Sequence, residues 1–386
     1  MHNSFKERYD VTSSSEEKER VIVGAGLSGS EAALAVQKTG LSYVVLEATD
    51  RVGGKTLSQP LASGKGVVDL DAVWLNEVTQ PKIYALAKKY GVETVIQPSE
   101  GEGILEDTTG IIQRIADGQL SDITSILETE AAKLDIRRFP ISDFDKLIVR
   151  QVLKQNGAIE DAFKFLETTV KGLLGVDANE LSLFYLDYIK SEGTFEKLRS
   201  EESNGAQFLD AIISKGTAGE LYPGSLFLHT KKFIISVPTL LYKMIDFSPA
   251  LPKAKTTLTA SIKLGYYAKT ILIYEKPWWR DIGLRGSFFS FKGAVSFADD
   301  TSVDADGQYS ITCFIVGSTG RKRSILYPIK RRQLYWIKLR LWLEMSMDID
   351  QGAPSPVMGP NLPNKYADVL RAPCSNLHFL CTETAY

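Results

Sequence analysis

Histidine and cysteine are scarce in this sequence, and each scarcity removes a class of chemistry. His2, His229 and His378 stand singly, so neither a metal-ligand cluster nor a nucleophile–histidine arrangement is supported. Cys313, Cys374 and Cys381 suggest a reducing compartment and no disulfide framework. An excess of one charge is missing too. With 45 basic and 47 acidic residues the net charge is −2, which leaves no electrostatic footprint for nucleic acid or a membrane surface. No apolar run approaches membrane-spanning length, and the polar opening (SSSEEKER) contains no secretory h-region. The expectation is an intracellular, soluble protein.

The chain has 386 residues, 44% of them hydrophobic and 24% charged, enough for two or three domains with sizeable cores. It is organised around residues 21–56. Val21-Ile22-Val23 reads as a short strand, and Gly24, Gly26 and Gly29 follow as G-x-G-x-x-G. Ser30 to Gln37 has helical apolar spacing, and Gly40 is placed to end that helix. Leu41 to Leu46 reads as a second strand, with Glu47 twenty-three positions past Gly24. This is a βαβ unit built for a dinucleotide. Gly24 permits the tight turn, Gly26 lets backbone approach a pyrophosphate, and Gly29 allows close helix–strand packing. The helix N-terminus offers free N–H groups to the phosphates, and Glu47 would accept hydrogen bonds from the ribose. Arg51-Val52-Gly53-Gly54-Lys55-Thr56 comes next. A second glycine pair lets N–H groups reach a pyrophosphate from the other side, which a simple NAD dehydrogenase does not need.

At these residues the sequence resembles the FAD-dependent amine oxidases of the monoamine oxidase type. Their E-x-x-x-R-x-G-G-[RK]-x-x-[ST] signature stands here as Glu47, Arg51, Gly53, Gly54, Lys55 and Ser58. The resemblance continues in blocks. Residues 66–74 are similar to a strand ending in D-x-G-A/G-x-W, with Asp69, Ala72 and Trp74 in place, but Asp71 stands where that pattern has glycine. A carboxylate there costs several kcal/mol unless paired or solvated. Pro81 to Tyr90, Leu120 to Ile136 and Leu147 to Leu166 carry helical patterns similar to the family's substrate domain. Leu181 to Tyr188 is aromatic-rich and reads either as core or as the lining of a substrate cavity, and Gly205 to Phe208 resembles the return to the FAD domain. The strand at Pro223–Thr230 runs at once into Lys231–Pro238, so the β-meander expected between them is missing. Lys263 to Arg280 (KLGYYAKTILIYEKPWWR) resembles the strand whose lysine, here Lys269, reaches flavin N5 through a water, with Trp278 and Trp279 packed beside it. In Gln351-Gly352-Ala353-Pro354, Ala353 occupies the position of the cysteine that binds flavin covalently in some relatives, and no complete two-tyrosine cage is expected. The end of the chain is similar to F-x-G-T-E-T-A, with Glu383 toward the ribityl chain and Cys381 replacing glycine. The family's W-x-G-Y-x-x-G-A-V continuation, with its cage tyrosine and helix N-terminus, does not follow Tyr386.

The resemblance implies an α/β protein: a Rossmann-like FAD/NAD(P)-binding domain, split into residues 16–79, 205–260 and 352–386, with an interleaved α+β substrate domain over 80–204 and 261–351. Residues 1–20 read as a flexible leader, 1–15 lying outside either domain. It implies that Gly24, Gly26, Ser28, Gly29, Glu47, Ala48, Arg51, Gly53, Gly54, Lys55, Trp74, Val237, Glu383 and Thr384 hold FAD non-covalently and that Lys269 is catalytic. The implied reaction is oxidative deamination of a primary or secondary amine. Its α-hydrogen passes formally as hydride to N5, the imine is hydrolysed, and O2 is reduced to H2O2. The implied compartment is cytoplasmic or peroxisomal, with no nucleic-acid partner and no membrane span. The departures leave a second reading open, that of a shortened, inactive FAD-binding paralogue or an incomplete gene model.

Overall fold

The computed structural model describes residues 18–49, 51–97, 100–116, 160–180, 198–201, 221–223, 230–293, 295–324 and 356–380. The chain opens with strand β1 (Lys18–Val23), helix α1 (Leu27–Lys38) and strand β2 (Tyr43–Glu47). β1 starts before the apolar run, so Lys18 to Arg20 are not part of a flexible leader. The Arg20 N–H donates to the Ser42 carbonyl at 3.1 Å, and Arg20 lies in register with Lys232. Backbone pairing extends the strand past the point where hydrophobicity stops. Ile22 and Val45 pack against Ala33 of α1. The helix ends at Thr39, followed by Gly40 at φ +75°.

A short hairpin follows, β3 (Ser58–Pro60) and β4 (Val67–Asp69). Then come β5 (Leu75–Asn76), α2 (Pro81–Tyr90) and β6 (Thr94–Ile96). Proline begins α2 where no N–H partner is needed, and Gly91 closes it in the left-handed conformation. Ala87 and Tyr90 pack onto Leu34 of α1. The hairpin β7 (Glu102–Glu106) and β8 (Ile112–Ile115), helix α3 (Glu160–Leu174) and strand β9 (Leu198–Glu201) come next. Strands β10 (Leu221–Pro223) and β11 (Thr230–Ile235) precede α4 (Lys253–Ser261) and β12 (Lys263–Leu264). The chain continues through β13 (Tyr267–Tyr274), the one-turn α5 (Trp278–Asp281), β14 (Leu284–Ser290), β15 (Phe297–Asp300), β16 (Tyr309–Val316) and α6 (Gly317–Ser324). It closes with β17 (Pro356–Val357), α7 (Leu362–Arg371) and β18 (Leu377–Phe379).

Two sheets carry the architecture. The first is parallel, with strand order β10-β2-β1-β11-β18. It is assembled from three separated parts of the chain, with α1 crossing over between β1 and β2 as parallel pairing requires. The second is mixed, in the order β13-β16-β15-β14-β7-β8, parallel only where β14 meets β7. β13 and β16 pair along eight residues, and Phe314 and Ile315 are fully buried there. The molecule is thus the α/β fold with a Rossmann-like unit and an interleaved mixed sheet that the sequence suggests.

Candidate functional site

The site begins where β1 turns into α1. Gly24 has φ +100°, and a Cβ on it would lie 2.6 Å from the Ser236 carbonyl and 3.0 Å from Cγ1 of Val237. A Cβ on Gly29 would lie 1.9 Å from the Gly24 carbonyl oxygen. Both glycines therefore exist because backbone and helix meet too closely for any side chain. Val237 reaches this turn because β11 runs parallel to β1 and ends beside it. The second glycine pair folds over the first: the Gly53 N–H donates to the Ala25 carbonyl at 2.9 Å, and a Cβ on Gly54 would come within 3.1 Å of the Gly26 Cα. Gly26, the N-cap of α1, offers no side-chain cap, and the helix has no acid in its first turn. Its leading N–H groups and positive end, with Ser28 exposed beside them, are left for an anion.

Glu47 ends β2 on the far side of this turn. Its Oε2 accepts from the Ala25 N–H at 2.8 Å and its Oε1 accepts from the Thr49 N–H at 3.0 Å. These bonds fix the carboxylate at the end of the sheet, with Ala48 exposed next to it. Arg51 donates to the carbonyls of Val52 at 3.2 Å and Gly54 at 2.7 Å. It thereby braces the glycine loop. The buried Ser236 Oγ has no partner among the described residues, and it sits 3.3 Å from where a Gly29 Cβ would be. An orphaned hydroxyl beside an uncapped helix N-terminus and a double glycine turn fits the pyrophosphate of a dinucleotide. Sequence reasoning missed Ser236, because its position depends on the register of β11 against β1.

A second group adjoins the first through Lys55. Lys269 lies on β13 opposite Phe314 of β16 and is 8% exposed. Its ammonium donates to the Asp71 carbonyl and lies 5.5 Å from the centre of the Phe314 ring. Burial lowers its pKa from 10.5 to about 8, against the opposing attraction of Asp69 and Asp71. Burial likewise raises both carboxyls, while Lys55, Lys269 and Arg51 pull Asp71 down. Ser58 donates to Asp69 at 2.6 Å. The acid that replaces glycine at position 71 is therefore half-buried, and the attraction of the three cations only partly offsets its burial. Trp74 packs on Phe314 at 5.6 Å between ring centres, tilted by 41°, and donates to Gln97 at 2.8 Å. Beyond Asp69, a small cavity borders Ile271, Thr312, Ser310 and Thr301.

Trp278 and Trp279 are not beside Lys269. They follow the opposite end of β13, where Trp279 packs on Tyr274 at 5.2 Å and donates to Asp300 at 2.9 Å. Eight residues of extended strand separate the two ends, so the pair serves the sheet and not the lysine. Glu383, Thr384, Cys381, Ala353 and Pro354 lie outside the described residues. Among the described residues no cluster of three His, Cys, Asp or Glu side chains could hold a metal ion, and no helix is long and apolar enough to cross a membrane.

The family described as "NAD(P)-binding Rossmann-like domain" matches residues 22–90. Over 95% of its length the chain is 27% identical to the probable flavin-containing monoamine oxidase A of Dictyostelium discoideum, covering 92% of that protein. It is 24% identical to an L-amino acid dehydrogenase of Synechocystis, covering 95% of this chain and 89% of the relative. In fold it is similar to the cyclohexylamine oxidase of Brevibacterium oxydans, with a TM-score of 0.84, 23% identity, and coverage of 95% and 94% of the two chains.

Proposed function

We propose that the chain is a flavin-containing amine oxidase, as its similarity to such proteins supports, and that it holds FAD non-covalently and oxidises a primary or secondary amine to an imine, passing the electrons to O2. The observation that carries this reading is the double glycine turn over the uncapped N-terminus of α1, with the unpartnered Ser236 Oγ beside it. Gly24, Gly26, Ser28 and Gly29 admit the pyrophosphate, Gly53 and Gly54 close over it, and Glu47 and Ala48 stand at the ribose end. Arg51 braces the loop, and Lys55, Trp74 and Val237 border the rest. Glu383 and Thr384 are assigned with them from the sequence. Ala353, where covalent relatives carry cysteine, supports a non-covalent cofactor.

Bound FAD would supply the two-electron acceptor for a C–H bond next to nitrogen. The chain itself binds, orients and solvates. Lys269, buried on β13, is a hydrogen-bond donor suited to fixing a water in the site. Trp74 and Tyr267 pack on the buried Phe314 ring beside Lys269 and hold that end of the sheet rigid.

The test is the visible spectrum of the purified protein before and after anaerobic addition of a primary amine. Bound flavin that bleaches and recovers in air is the expected result. Protein that takes up no flavin overturns the proposal. Flavin that stays oxidised with a panel of monoamines, diamines and amino acids also counts against turnover and favours a cofactor-binding protein without it.

A further inference from the structure

The cavity beyond Asp69 is lined by β4, β13, β16 and the turn that follows β15. Its volume is about 20 Å³, counted over the positions that a water centre can take. Apolar side chains such as Val67, Ile271 and Val303 make part of the lining, and Asp69, Thr301, Ser310 and Thr312 make the rest. Whether such a space is dry or wet depends on the lone pairs and protons that border it. The Ser310 N–H donates to Ser302 Oγ at 3.1 Å, which leaves the Thr301 carbonyl to the Ser310 hydroxyl at 3.0 Å. A hydroxyl has one proton, so Ser310 must accept in its 2.8 Å contact with Thr301 Oγ1. Thr301 then has no proton left for Thr312, and at 2.7 Å it accepts from that hydroxyl. All three protons therefore run one way, from Thr312 through Thr301 to Ser310. Thr312 keeps lone pairs and no proton. Asp69 is similarly placed: Ser58 donates to its Oδ1 at 2.6 Å, and among the described residues no side chain or N–H donates to Oδ2. The polar part of the lining is short of donors.

We propose that this cavity is a binding site for one water molecule, which donates one proton to Asp69 and the other to Thr312. The size fits, since a water needs about 10–15 Å³ by the same measure, and there is room for one but not two. The chemistry fits as well. Two buried acceptors without donors are unfavourable, and a molecule with two protons answers both. Asp69 ends β4, and two residues on Asp71 offers the carbonyl that takes the Lys269 ammonium. The water thus fastens the hairpin that carries this carbonyl to β16 and to the turn after β15. Ile271 shares a face of β13 with Lys269, because alternate residues of a strand point the same way. The bridge therefore runs alongside that amine. It requires no bound cofactor.

The test is a crystal structure of the full chain at high resolution, with neutron data from a deuterated crystal. Density within hydrogen-bond distance of both the Asp69 carboxylate and Thr312 Oγ1 is expected, with one deuteron toward each. The Thr312 deuteron should point to Thr301. Thr312→Val keeps the shape of the side chain but removes the oxygen, and should lose the density, whereas Thr312→Ser should keep it. Urea unfolding should show the folding constant of Thr312→Val lowered at least about tenfold, as Asp69 loses its second donor. An empty cavity in the parent overturns the proposal, as does density that survives unchanged in Thr312→Val. An anomalous peak at the site after soaking in thallium(I) also overturns it, in favour of a monovalent cation held by the same acceptors. Should either variant fail to fold, the parent's density and deuterons still decide.

Discussion

Gly29 shows how strongly one position can constrain the site. A methyl group there would sit 1.9 Å from the Gly24 carbonyl oxygen, so α1 must move off β1 before alanine can be accommodated. Overpacking of this kind costs about 1–3 kcal/mol, and the displacement falls on the N–H groups that face the pyrophosphate. Gly29→Ala should therefore lower FAD affinity at least tenfold and lower the melting temperature, read by flavin titration and thermal unfolding. Gly40→Ala is the control. Gly40 has φ +75° with nothing within 4 Å, so alanine there should cost about 1 kcal/mol of stability and leave flavin affinity unchanged. Equal affinity loss in both variants would make the Gly29 effect one of stability alone. The glycine spacing was legible in the sequence because it expresses a local backbone requirement. Ser236 was not legible, since nothing in its neighbours announces that β11 will end against Gly24. Asp71 was recognised as a departure, but its cations come from residues 16 and 198 positions away in Lys55 and Lys269.

At the scale of elements, the turn after β13 illustrates a motif whose chemistry is structural. Asp300 on β15 is 2% exposed and accepts from the Trp279 indole and from Arg280 Nε, both at 2.9 Å. Its other oxygen accepts from the Ser302 N–H at 2.9 Å. Arg280 in turn reaches both oxygens of Asp304 at 2.9 Å. One carboxylate thus ties α5 to β15 and to the turn that follows it. Asp300→Ala leaves three donors unpaired, but Arg280 retains Asp304 and some water. The cost should fall at the lower end of the range for a broken buried pair, about 3 kcal/mol, measured by urea unfolding. Loss of the near-ultraviolet tryptophan signal before global unfolding would accompany it, and a change below about 1 kcal/mol would mean that the network contributes little. The sequence placed β13 and the Pro-Trp-Trp-Arg turn correctly as elements. It put the tryptophans beside Lys269 because proximity along the chain was taken for proximity in space, while an eight-residue strand carries its two ends far apart. The parallel sheet was legible at β1-α1-β2, where apolar period, glycine and acid coincide, and in the apolar run that forms β11. Short strands such as β10 and β18 carry too little pattern to be read alone.

At the scale of the whole molecule, Lys255 joins the last described segment to the rest. It lies on α4, is 2% exposed, and donates to the carbonyls of Leu370 at 3.2 Å and Ala372 at 3.0 Å, capping the C-terminus of α7. Its amine also lies 3.4 Å from the centre of the Phe379 ring on β18. Because β18 completes the parallel sheet beside β11, this one side chain fastens the sheet edge through a contact 115 residues long in sequence. Burial lowers the Lys255 pKa to about 8, as it does for Lys269. Below pH 8 both amines are charged in the folded and unfolded chain alike, and the folded state bears the full cost of burying them. Between pH 8 and 10.5 the unfolded chain holds more protons than the folded one, so stability rises with pH across that window. The buried Cys313 thiol, pushed up to about 12, opposes this once pH exceeds its ordinary value near 9. The buried Tyr267 and Tyr274 hydroxyls do the same above 10. The lysines therefore act nearly unopposed between pH 8 and 9, where each contributes about 1 kcal/mol. Urea unfolding at pH 8 and 9 should show the parent gaining stability and Lys255→Met gaining about half as much, with Lys269 supplying the remainder. An equal gain in both proteins would mean that Lys255 titrates near its ordinary value, and that the α4–α7 junction is open enough to keep its charge in water.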